Sequence, residues 1–210
     1  MPLTIPGPAG PLESLIDVPA AGTPVRAAVV FCHPHPQHGG TMHTKAVFQG
    51  AKGLARIGCA VLRFNFRGVG ASAGSFGGGA GEQEDFDAAV THLAREFPGR
   101  PIWAAGFSFG SWVALEAGAV DPRVSTLIAI APPVAREGYT FEHVVSSTKP
   151  KFFVQGSLDD ICPLKALRAF YARLPEPKEL VVIDGANHLF EGRTPEVGEA
   201  LEDLLADFNG

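Results

Sequence analysis

Short apolar runs recur along the chain, with longer amphipathic stretches between them. The runs at 27–32, 59–66, 101–107, 125–131, 151–155 and 179–183 are rich in Val, Ile, Phe and Ala. Most do not alternate apolar with polar residues, which marks strands covered on both faces and hence a parallel sheet. Residues 12–18 alternate better and read as an antiparallel edge strand. Helical patterns fill the gaps. One covers 41–57, with Gly58 as its stop. A second, 82–97, opens with Glu82, Glu84, Asp85 and Asp87, acids that suit the positive end of a helix dipole. Three more cover 110–120, 163–174 and 195–208, the last two with proline near the start, where its missing N–H costs nothing. Strands alternating with helices predict an α/β fold, a doubly wound, mostly parallel sheet with helices on both faces. The length suits one such domain over residues 1–210. The only sizeable insertion between strands, 132–150, is too short to be a separate lid domain.

Composition narrows the functional classes. Hydrophobic residues make up 46% and charged ones 19%, so the chain folds into a core rather than staying disordered. Net charge is −5 and no Lys/Arg run is present, which excludes a nucleic-acid surface. No apolar stretch approaches the roughly 18–20 residues that span a bilayer, so no membrane partner is expected. The stretch from Met1 to Pro8 lacks a basic region and an apolar region, so no signal peptide is expected. Cys32, Cys59 and Cys162 form no C-x-x-C pair and read as free thiols of a reducing cytoplasm. A homodimer stays open.

The chemistry starts at Gly106-Phe107-Ser108-Phe109-Gly110. This G-x-S-x-G run lies where an apolar strand gives way to a helix, the setting of a nucleophile elbow that exposes a serine hydroxyl on a sharp turn. The glycines leave room for backbone that folds back on itself. A serine hydroxyl is a weak nucleophile at neutral pH. It needs a base to take its proton and a third group to orient that base. The strand at 151–155 runs into Gly156-Ser157-Leu158-Asp159-Asp160-Ile161-Cys162-Pro163, and the strand at 179–183 runs into Asp184-Gly185-Ala186-Asn187-His188. A carboxylate and a histidine thus each follow the C-terminal end of a parallel strand, where open α/β sheets carry their sites. Three aspartates compete for the acid. Asp159 is preferred to Asp160, and Asp184 ranks third because it shares the histidine's loop.

With these residues in place, the chain resembles the α/β-hydrolase superfamily, and more narrowly its small lidless bacterial members of serine-esterase type. The likeness runs from Ala27 onward. It rests on His33-Pro34-His35-Pro36 with Gly39-Gly40-Thr41-Met42-His43-Thr44-Lys45, on Phe64-Asn65-Phe66-Arg67-Gly68-Val69-Gly70, on the run at 106–110, on Gly156-x-x-Asp159 with Pro163, and on Ala186-Asn187-His188. The resemblance implies Ser108 as nucleophile, Asp159 as acid and His188 as base. It also implies an oxyanion hole made of the backbone N–H groups of Phe109 and, after the first long strand, of His35. Pro34 and Pro36 have no N–H to offer. Gln37 and the Gly39-Gly40 turn stand behind His35 for that role.

Other motifs read as structure. His33-x-His35-x-x-His38 has metal-ligand spacing, but no cysteine or carboxylate completes a site, so no metal is expected. Gly68-x-Gly70-x-x-Ala73 follows a strand but opens no helix, which argues against a dinucleotide. Arg67 reads as a loop pin rather than an anion binder, and Trp112 as core. Phe107 and Phe109 are expected beneath the site, and Phe76 and Tyr139 near its mouth. The expectation is a serine hydrolase, a carboxylesterase that cleaves short-chain or soluble small-molecule esters through an acyl-enzyme with no cofactor. A peptidase or thioesterase would use the same three residues. A binding protein on the same fold is the alternative of another class.

Overall fold

A computed structural model describes residues 3–208; Met1 and Pro2, at the head of the N-terminal stretch read above, lie outside the described residues. Its strands are β1 (Leu3–Gly7), β2 (Gly10–Asp17), β3 (Ala27–Cys32), β4 (Cys59–Phe64), β5 (Ile102–Phe107), β6 (Val124–Ile130), β7 (Lys151–Gly156) and β8 (Lys178–Ile183). They form one sheet in the order β1-β2-β4-β3-β5-β6-β7-β8. From β4 to β8 every neighbouring pair is parallel, and β2 joins β4 antiparallel. Every residue of β3, β4, β5 and β7 is buried, which is why they read as largely apolar runs, broken only by Arg63 in β4 and by Lys151 and Gln155 in β7.

The alternating segment at 12–18 is antiparallel as expected, but it is not the edge. β1 pairs with β2 on its outer side and holds that place. Pro6 hid β1 in the sequence; an edge strand tolerates proline because the missing N–H costs no ladder bond.

The helices are α1 (Lys45–Arg56), α2 (Ala80–Glu96), α3 (Phe109–Val120), α4 (Glu142–Ser146), α5 (Leu164–Tyr171) and α6 (Thr194–Leu205). α1 and α6 cover one face through Val47, Leu54, Val197 and Leu201. α2, α3 and α5 cover the other through Phe86, Val90, Val113 and Leu167. α1 begins four residues later than its periodicity suggests. Side chains take the amides ahead of it: Met42 N donates to Asn65 Oδ1, Thr41 N to Thr44 Oγ1 and His43 N to Thr41 Oγ1. The two threonine bonds are local ones of the kind that favour a turn over a helix.

The chain leaves β3 first toward β4 and later toward β5, on opposite sides of β3. Loops on either side of such a reversal diverge and leave a crevice at the C-terminal strand ends. The loops after β3 and β5 flank this crevice, and those after β7 and β8 lie along the same edge. The insertion 132–150 forms no lid. Trp112 Nε1 donates to Thr140 O at 2.8 Å, and the Glu116 carboxylate accepts the N–H groups of His143 and Val144, so the insertion is tied to α3.

Candidate active site

Ser108 stands between β5 and α3 with φ 53° and ψ −120°. A non-glycine residue held there costs about 1–3 kcal/mol and persists only where its surroundings over-determine it. They do so here. Ser108 N donates to Ile130 O at 2.9 Å, and Ser108 O accepts from Ser111 Oγ at 2.6 Å. A Cβ on Gly106 would stand 2.1 Å from Gly110 O, and one on Gly110 would stand 2.4 Å from the carbonyl oxygens of both Cys32 and His33. The two glycines therefore allow the turn and seat the start of α3 against the end of β3.

His188 reaches Ser108 from the loop after β8. Its Nε2 lies 3.0 Å from Ser108 Oγ and its Nδ1 lies 2.9 Å from Asp159 Oδ2. With Nδ1–H donating to the carboxylate, Nε2 presents a lone pair to the hydroxyl. The Phe107 ring packs against the imidazole at 5.3 Å between centroids. Four N–H donors converge on Asp159: His188 Nδ1 and Gln155 Nε2 at Oδ2, and the backbone amides of Ile161 and Cys162 at Oδ1. Of the three aspartates weighed, only Asp159 meets His188. Asp160 is exposed, and Asp184 instead accepts a hydrogen bond from Ser157 Oγ. Cys162 is buried beside the pair, and burial pushes its thiol up to about 12. It is therefore protonated at neutral pH and does not compete with Ser108 as a nucleophile.

The two candidate oxyanion donors are the backbone amides of Phe109 and His35. Phe109 is the first residue of α3, so its N–H has no intrahelical acceptor. No hydrogen bond among the described residues uses the His35 N–H. The rings of His35 and Phe109 lie 5.0 Å apart, which sets the two residues side by side. The loop holding His35 is anchored by His33, whose Nε2 accepts from Phe66 N at 3.0 Å while Nδ1–H donates to Pro34 O at 2.6 Å. Burial pushes His33 down to about 4. With both ring nitrogens engaged, His33 has nothing left for a metal. Half-buried Phe76 and Tyr139 close on the Phe109 ring, and together with Trp112 they form an aromatic wall. Phe109 is itself buried in the core on that side of the sheet.

Arg67 is a loop pin: its guanidinium holds buried Asp85 and reaches Glu84. Gln155 was not foreseen. It closes the apolar run of β7, and a buried amide there is the one signal that it serves a polar partner.

Residues 23–147 match the family model Hydrolase_4, described as serine aminopeptidase, S33. The chain belongs to this α/β serine-hydrolase family. The matched part includes Ser108 and both oxyanion candidates but ends before Asp159 and His188, which the tertiary structure brings to Ser108. An uncharacterised protein of Rickettsia prowazekii is 34% identical over 206 residues, covering 95% of this chain and 86% of that protein. A serine-hydrolase homologue from Coxiella burnetii superposes with TM-score 0.91 at 40% identity, covering 98% of this chain and 97% of the other. An α/β serine hydrolase without a lid from Xanthomonas campestris gives TM-score 0.88 at 36% identity, covering 97% and 92%. No helix among the described residues is long and apolar enough to cross a membrane.

Proposed function

We propose that this family member is a carboxylesterase that cleaves short-chain or soluble esters through a Ser108 acyl-enzyme. The observation that carries the reading is the continuous chain of bonds Ser108 Oγ···Nε2 His188 Nδ1···Oδ2 Asp159, at 3.0 Å and 2.9 Å. As Ser108 Oγ attacks the ester carbonyl, its proton passes to His188 Nε2, and Asp159 steadies the imidazolium through Nδ1–H. The negative oxygen of the tetrahedral intermediate takes hydrogen bonds from the Phe109 and His35 amides. Collapse of the intermediate expels the alkoxide, which leaves as alcohol with the Nε2 proton. Water then repeats the attack with His188 as base, releasing acid and free Ser108. The insertion tied to α3 leaves the site open, which supports small soluble esters over long lipid chains.

A serine aminopeptidase is the second reading, supported by the description of the family model. It would use the same three residues on an amide. Two measurements decide. A fluorophosphonate probe should label the wild type stoichiometrically and Ser108→Ala not at all; an unlabelled wild type would defeat both readings. A panel of 4-nitrophenyl esters of graded acyl length, run beside aminoacyl 4-nitroanilides, should give its highest kcat/KM on the short esters. A higher value on an aminoacyl anilide would replace the esterase reading with the peptidase one.

A further inference from the structure

Cys162 joins Asp159 and His188 in a cluster whose thiol ester hydrolysis leaves unused. A carboxylate oxygen, the Cys162 Sγ and an imidazole nitrogen all lie within 4.8 Å of one another. The three residues are 5%, 0% and 7% exposed, so the cluster is an interior one rather than a chance grouping of surface acids. Carboxylate, thiol and imidazole together make a donor set suited to zinc and its soft neighbours. One carboxylate and one thiolate balance a divalent cation, so a filled site would leave no net charge buried in the interior. Gln155 braces two of the ligand-bearing residues, its Nε2 donating to Asp159 Oδ2 at 2.9 Å and to Cys162 O at 2.7 Å. Such outer partners are how proteins hold ligands for a metal.

We propose that Asp159, Cys162 and His188 bind a soft divalent cation, represented by zinc, and that the bound ion switches hydrolysis off. The effect on activity rests on the reading of Ser108 and His188 as the reacting pair. Bonds of about 2.0–2.3 Å to the ion put neighbouring ligand atoms about 3.3–3.5 Å apart, so shifts of roughly an ångström complete the site. The ion takes the Nδ1 lone pair, the Cys162 sulfur and a carboxylate oxygen. The thiol proton leaves to solvent and the imidazole proton moves from Nδ1 to Nε2, so one proton is released in all. With Nε2 protonated, His188 has no lone pair for the Ser108 proton, and the nucleophile cannot be activated. The ion holds the histidine in the wrong tautomer.

The test titrates zinc chloride into the wild type, following heat release and hydrolysis of a soluble 4-nitrophenyl ester together. One ion should bind per chain, activity should fall in step with occupancy, and a chelator should restore it. Cys162→Ala and the nearly isosteric Cys162→Ser are each compared with their own metal-free activity, because the Cys162 backbone also holds Asp159. Their inhibition constant for zinc should rise about 100-fold or more, since loss of an outer partner alone costs about 10–100-fold. Cobalt chloride should give thiolate-to-metal charge-transfer absorption in the wild type and in Ser108→Ala, and none in Cys162→Ala. Equal zinc inhibition of wild type and Cys162 variants, no ion bound by calorimetry, or no cobalt–thiolate absorption would each overturn the proposal. Binding and cobalt absorption need no turnover, so they test the ion site even if the fluorophosphonate result defeats the hydrolytic reading.

Discussion

A Cβ placed on Gly156 would stand 2.4 Å from the carbonyl oxygen of Ala186. At the ends of β7 and β8, the loop carrying Asp159 and the loop carrying His188 therefore touch backbone to backbone. Leu158 N donates to the same Ala186 oxygen at 2.9 Å. The 2.9 Å contact between His188 and Asp159 depends on this approach.

Gly156→Ala should push the two loops apart and lower kcat on a soluble ester by about 100-fold, the cost of an ångström of misplacement in a catalytic group. KM should change little, because nothing that would hold the substrate moves. Steady-state kinetics, with circular dichroism to show an intact fold, check this. A KM effect without a kcat effect would refute it.

The role of the His35 amide can be separated from that of its side chain. His35 has φ −52°, close to the value proline imposes, so His35→Pro removes the N–H with little backbone strain. His35→Ala keeps the N–H. The proline variant should lose about 10²–10³ in kcat, the usual cost of one oxyanion donor. The alanine variant should stay within a few-fold of wild type. Similar losses in both would move the second donor elsewhere in the 33–40 loop.

Gln155→Leu keeps the volume in β7 but removes a donor from Asp159 Oδ2 and from nothing else except Cys162 O. A hydrogen bond to a charged group contributes about 1.5–3 kcal/mol, so kcat/KM should fall about 10–100-fold. Fluorophosphonate labelling should slow in proportion while still reaching completion, since Ser108 itself is untouched.

His33 ties stability to pH. Its folded value is pushed down to about 4 by burial, against 6.5 for the free group. Between those values the unfolded chain binds the extra proton, so stability rises with pH through that window. The contribution is complete above 6.5, declines as pH falls toward 4 and is flat below. The whole shift corresponds to about 3 kcal/mol. Urea unfolding midpoints measured across that range should fall on acidification. His33→Gln should flatten the dependence, whatever its own effect at neutral pH.

Much of this was legible in the chain. β3 and β5 read as strands because burial on both faces demands apolar side chains at every position, and that demand acts on each residue where it stands. The elbow was legible because Gly106 answers a crowding within five residues, although Gly110 answers the distant carbonyls of Cys32 and His33. β1 was not, because Pro6 erases the local pattern and only pairing with β2 makes the segment a strand. The start of α1 was misplaced because Asn65, from another loop, captures the Met42 amide.

The same division runs through the site. The sequence by itself determined the fold class, the serine on its turn, and a carboxylate and a histidine at strand ends in the right order. Each of these follows from residues close together in the chain. Only the tertiary structure decided that His188 meets Asp159 rather than Asp160 or Asp184, that Gln155 braces the acid, and that Cys162 lies beside them both. These depend on the Gly156–Ala186 contact and on side chains 29 and 80 residues apart coming within hydrogen-bond reach. Such contacts are set by how loops from separate strands pack at one sheet edge, and that packing leaves no periodic trace along the chain.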